Sequence, residues 1–156
     1  MSKLIQEGCI FCEIVQGIKP CHKIWEDENF IAFLSIFPNT EAFSVVAFKS
    51  HLPSYCFDLP DEQLALLALA AKKVGKLIDS KLDDVGRCGL ILEGYGVDHA
   101  HAKIFPMHGT RHLTKWTPVA AQNDKYFTKY EGYISSHDCI RAKDEELERI
   151  ARKIHS

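Results

Sequence analysis

The segment richest in reactive groups is His99-Ala100-His101-Ala102-Lys103-Ile104-Phe105-Pro106. On an extended chain successive side chains alternate, so His99, His101 and Lys103 would share one face, with Ala100, Ala102 and Ile104 on the other. A neutral imidazole is a good nucleophile near neutral pH. A neighbouring ammonium stabilises anionic phosphate oxygens and, by like-charge repulsion, disfavours protonation of nearby imidazoles. The pair suits phosphoryl or nucleotidyl transfer. The same spacing also suits the exposed face of an edge strand, or two metal ligands at His99 and His101.

Cys9 and Cys12 carry the two-residue gap of half a zinc site, a redox pair or two buried thiols. A redox pair needs a thioredoxin-like βαβ setting, which the flanking residues lack. Cys21, Cys56, Cys88 and Cys139 show no ligand spacing and read as plain thiols. Six cysteines without a secretory signal predict no disulfide framework.

These groups need elements to position them. Runs at 22–26, 30–35 and 43–48, separated by polar turns, predict an antiparallel meander. Leu64, Leu67, Ala68, Ala71, Val74 and Ile78 recur at helical spacing after Pro60-Asp61-Glu62, predicting a long helix over 61–80. Two further strands are expected at 88–92 and 99–105, a short helix after Phe11, and a surface helix over 144–153 on the stripe Leu147, Ile150, Ala151 and Ile154. Strands, then a helix, then strands without βαβ alternation indicate an α+β domain with a mainly antiparallel sheet of about five strands.

The chain of 156 residues shows no repeat or linker and reads as one domain over 1–156. A formal charge of −2 offers no field for a nucleic-acid backbone or an anionic membrane. No apolar run approaches the ~20 residues of a membrane span, and the first residues lack a signal-like apolar stretch, so a cytoplasmic location is expected.

The motif segment, the glycine-rich approach Glu93-Gly94-Tyr95-Gly96-Val97-Asp98, and the stretches Cys9-Ile10-Phe11-Cys12-Glu13-Ile14 and Phe48-Lys49-Ser50-His51 together resemble the histidine triad (HIT) family of nucleotide hydrolases and transferases. The resemblance runs over residues 8–110, leaving 111–156 as a C-terminal extension, and Lys103 stands where the family's third histidine would be. It implies a HIT-like fold and a homodimer. It also implies that His101 attacks the α-phosphate of a purine nucleotide or dinucleotide to form a covalent nucleotidyl-histidine, with His99 and Lys103 completing the catalytic motif. Base and ribose would lie among Ile10, Phe11, Ile14, Phe33, Ser35 and Ile36, and phosphate against the backbone of Gly94, Tyr95, Gly96 and Val97. A structural zinc would sit on Cys9, Cys12, His51 and His99, fixing the His99 ring.

Departures from the family pattern fall at Ser35 (commonly acidic), Phe43 (His), Leu92 (Asn), and Tyr95 and Gly96 (Gln and Ser). The expected activity is that of a nucleotide phosphoramidase or dinucleoside polyphosphate hydrolase. The changes at Ser35, Phe43, Gly96 and Lys103 leave open a nucleotide-binding module with little catalysis, and a nucleotidyl transferase is the further alternative. His108, Arg111 and His112 read as a solvated loop within reach of a phosphate, Trp116 as an aromatic near a dimer partner's site, and 130–138 as a packed tail.

Overall fold

Two adjacent strands whose side chains alternate between two cores organise the molecule. The computed structural model describes residues 4–111 and 141–155; His112, Trp116 and the 130–138 tail lie outside the described residues. Five strands form one sheet: β1 (Lys23–Glu26), β2 (Phe30–Leu34), β3 (Ser44–Phe48), β4 (Cys88–Ile91) and β5 (His101–Pro106). Their order is β1-β2-β3-β5-β4 and every neighbouring pair is antiparallel.

From β2 and β3, Phe30, Ala32, Leu34, Val46 and Phe48 enter the first core, and Ile31, Phe33, Val45 and Ala47 the second. Both strands are therefore buried on both faces, which is why they read as unbroken apolar runs. Helix α2 (Asp61–Lys81) covers the first core with Leu67, Ala70, Ala71, Val74 and Ile78. Helix α3 (Asp144–His155) joins it through Leu147, Ile150, Ala151 and Ile154. The short helix α1 (Ile10–Val15) closes the second core with Phe11 and Cys12.

Helix α2 starts directly after Pro60, with Asp61 and Glu62 in its first turn and Lys81 in its last, charges that complement the helix dipole. The strand at the motif differs from expectation: β5 starts at His101, two residues later than the sequence period suggests. The His99 N–H donates to the Val97 carbonyl (2.9 Å) and the Ala100 N–H to the Leu52 carbonyl (2.8 Å), so both are engaged outside the ladder. Among the described residues, no helix is long and apolar enough to cross a membrane.

Candidate active site and metal centre

Strand β5 divides its side chains between the two faces of the sheet. Ala102 and Ile104 pack into the first core, leaving His101 and Lys103 on the α1 side. Ala47 lies opposite His101 and Val45 opposite Lys103, giving both groups a small apolar floor. His101 is 4% exposed. Its Nδ1 lies 2.6 Å from the His99 carbonyl oxygen, which can only accept, so Nδ1–H donates and Nε2 keeps the lone pair. The Phe11 ring meets the imidazole edge-on (centroids 5.3 Å, planes at 85°). Burial lowers the His101 pKa below the ordinary imidazole value, opposed by the His99 carbonyl and reinforced by Lys103.

His101 and Lys103 open onto a cavity of about 470 Å³, within the range that takes a nucleotide-sized ligand. Ile10, Phe11, Ile14, Phe33, Ser35, Ile36, Tyr95, Gly96 and Val97 line it, along with Cys21, Phe37, Phe43 and Val45. Gly94 stands outside that lining: its φ is +72°, and a Cβ there would lie 2.7 Å from the Ser54 carbonyl oxygen, so it serves the turn. The Ser35 hydroxyl accepts from the Phe37 N–H (3.2 Å), and Phe43 stacks on Phe105 (4.5 Å). A larger recess of about 810 Å³ adjoins at Ile10, Pro20, Cys21 and Ile36 but reaches no motif residue. Among its charges, Asp144 meets both His22 and Arg141, and Glu148 meets Arg152. The smaller cavity is therefore the candidate site.

One residue of this face escaped the sequence reading. In the β4–β5 ladder Ile91 pairs with Lys103, and continuing that antiparallel register by two residues brings Glu93 beside His101, diagonal to Lys103. Glu93 and Lys103 form an ion pair with side chains 16% and 12% exposed. Both Glu93 oxygens are buried, and among the described residues the Lys103 ammonium is the charge that answers them. The signal was the two-residue period running on past Ile91. Leu92, on the opposite parity, packs against the first core and away from the cavity.

His99 faces a different set of groups. Its fully buried ring places Nδ1 3.4 Å from Cys9 Sγ and 3.6 Å from Cys12 Sγ, while Nε2–H donates to the Phe48 carbonyl (2.8 Å). His51 Nδ1 lies 3.6 Å from Cys12 Sγ, and the four ligand atoms lie within 4.8 Å of one another. Tetrahedral zinc bonds of ~2.3 Å to sulfur and ~2.0–2.1 Å to nitrogen require S···N edges of roughly 3.6 Å, so the donor set fits zinc in both identity and spacing. Burial, the largest cause, lowers the His99 pKa to about 4, keeping it a neutral ligand, and the Phe48 carbonyl fixes which nitrogen is free. His99 thus lies among the metal-type donors and does not line the cavity. His108 pairs with Asp84 (3.1 Å), and Arg111 donates to the Asp79 and Leu82 carbonyls, so both brace the α2–β4 connection; neither lines the cavity.

The family model described as "Scavenger mRNA decapping enzyme C-term binding" matches residues 8–106. An uncharacterized HIT-like protein of Mycoplasma genitalium is 35% identical over 115 residues, 70% of this chain and 80% of its own length. The adenosine 5′-monophosphoramidase of Schizosaccharomyces pombe is 36% identical over 99 residues, 64% of this chain and 74% of its own. A zinc-bound histidine triad family protein from Mycobacterium smegmatis superposes with a TM-score of 0.65 at 22% identity, covering 95% of this chain and 91% of its own. The chain belongs to the histidine triad family.

Proposed function

We propose that this protein hydrolyses a purine nucleotide at a phosphoramidate or phosphoanhydride bond through a covalent nucleotidyl-histidine on His101. The observation that carries the reading is the His101 Nδ1–H donated to the His99 carbonyl, which leaves the Nε2 lone pair free in a cavity large enough for a nucleotide. Kinship with the S. pombe adenosine 5′-monophosphoramidase supports the reaction class.

In this mechanism Nε2 attacks the α-phosphorus as the bond to the leaving group breaks. The His99 carbonyl stabilises the imidazolium that develops, as an acceptor does behind any histidine that gains positive charge. Base and ribose pack among Ile10, Phe11, Ile14, Phe33 and Ile36, with Ser35 at the ribose, and backbone amides of Tyr95, Gly96 and Val97 donate to phosphate oxygens. Water then resolves the P–Nε2 bond. Zinc on Cys9, Cys12, His51 and His99 is structural, tying the start of α1 to the residues that precede β5. The protein works as a cytoplasmic homodimer, one HIT-like domain per chain, without nucleic acid or membrane.

The test uses an adenosine nucleotide labelled at the α-phosphorus. Wild type should release product and, on rapid quenching, carry acid-labile label on His101. His101→Gly should lose both while keeping its circular dichroism spectrum and zinc content. Turnover surviving in His101→Gly would remove His101 from the mechanism.

A further inference from the structure

We infer that the Lys103–Glu93 pair makes this enzyme selective for leaving groups that depart as stable anions, such as sulfate, carboxylate or phosphate, over amines. The inference rests on the hydrolase reading above and concerns the group on the far side of the scissile bond.

The Lys103 ammonium lines the cavity on the same strand face as the nucleophile, two residues away, with Glu93 paired to it from two residues past the end of β4. For an anionic leaving group, the Nε2–P bond forms, the P–O bond breaks, and the electron pair leaves on oxygen. No proton moves, and the ammonium offsets the charge that appears. For a phosphoramidate the P–N electron pair would leave as an amide anion unless the nitrogen gains a proton. If Lys103 supplied that proton, the buried Glu93 carboxylate would lose the one cation paired with it among the described residues until water reprotonated the amine.

The residue types reinforce this asymmetry. A general acid is effective when it releases its proton readily, which an imidazolium does far more easily than an alkylammonium. The chain thus carries an electrostatic clamp where an imidazole would offer a proton. General acid catalysis contributes about 10²–10⁴-fold, so losing it should separate the two leaving-group classes by at least about 100-fold.

The experiment compares kcat/KM for adenosine 5′-phosphosulfate and adenosine 5′-phosphoramidate on the intact protein. The two substrates share the whole nucleotide, so base preference cancels in their ratio. The expected result is a ratio of at least about 100 in favour of the sulfate in wild type, falling at least tenfold in Lys103→His. Glu93→Gln removes the carboxylate that proton donation would strand, and it should also lower the ratio. A wild-type ratio near one or below overturns the inference. So does a pair of variants that lose both activities equally, the mark of a merely structural pair. If neither substrate turns over and neither labels His101, the hydrolase reading itself fails and takes the inference with it.

Discussion

Replacing Phe11 by alanine tests whether the short helix α1 supports the His101 ring as well as the second core. Phe11 is 9% exposed, and its ring meets Phe33, His99 and His101 with centroids at 5.4, 5.7 and 5.3 Å. Truncating a buried phenylalanine costs about 3–5 kcal/mol. Because Phe11 also lines the open cavity, water can enter the space it vacates, which places the loss near ~3 kcal/mol. At about 2–4 °C per kcal/mol for a chain of this size, Tm should fall by roughly 6–12 °C. Phe11→Leu retains most of the volume and forfeits the ring edges, each worth about 0.5–1.5 kcal/mol. It should therefore cost less stability yet lower kcat, since the imidazole then turns more freely about its bond to the His99 carbonyl. Urea unfolding with an unchanged m-value, together with steady-state kinetics, measures both. A loss below about 1 kcal/mol in Phe11→Ala, or a Phe11→Leu enzyme with wild-type kcat, would refute the reasoning.

Gly94→Ala forces a side chain into φ +72° with its Cβ 2.7 Å from the Ser54 carbonyl oxygen, so the loop must shift; the backbone term alone is about 1–2 kcal/mol, and nucleotide titration should show weaker binding at unchanged zinc content. Gly96→Ala meets similar backbone strain at φ +95°, but its Cβ has nothing within 4 Å, so it should be the milder of the two. Elemental analysis should find one zinc per chain in wild type and markedly less in His51→Ala, with a lower Tm; full zinc in that variant would exclude His51 as a ligand. Burial, helped by Asp79 at 3.3 Å, pushes the Cys88 thiol up to about 12. Only thiolate alkylates, so at pH 8 Cys88 should react about a thousandfold more slowly than a free thiol of pKa ~8.5, and its rate should still climb about tenfold per pH unit at pH 10. A rate that levels off near pH 9 would contradict that environment.

The elements whose signals are local were legible in the sequence. The apolar runs of β2 and β3 and the stripe of α2 follow from side-chain period alone, and observed bounds differ from expected ones by about one residue, as at Asp61–Lys81. The late start of β5 was not legible, because Ala100 is engaged by Leu52, a partner far off in sequence that no period encodes. Ala70, not Ala68, is the more deeply buried, since the sheet and α3 choose which edge of the α2 stripe goes deepest. At the site, the histidines announced themselves by type. The cavity walls were accessible only through family resemblance, because Ile10 or Phe33 looks like any core residue. Glu93 required knowing that β4 pairs with β5 in one register, a relation between two strands and not a property of either.

The alanines of the motif are as informative as its histidines. Ala100 and Ala102 are fully buried against the core that α2 covers, and larger residues there would push α2 away from β5 and move His101 with the strand. His101 is further held through a short chain of backbone acceptors: the Phe48 carbonyl holds His99 Nε2–H at 2.8 Å, and the His99 carbonyl holds His101 Nδ1–H at 2.6 Å. The ring that belongs to the metal-type cluster therefore sits one carbonyl away from the proposed nucleophile. Lys103 is supported separately, through Glu93 and β4. Disturbing the Cys9, Cys12, His51 and His99 cluster should then lower turnover of every substrate by a similar factor, because it acts on the nitrogen proposed to attack. Disturbing Glu93 should change which leaving groups are accepted. A His51→Ala enzyme with altered leaving-group selectivity would mean that the two supports are mechanically one.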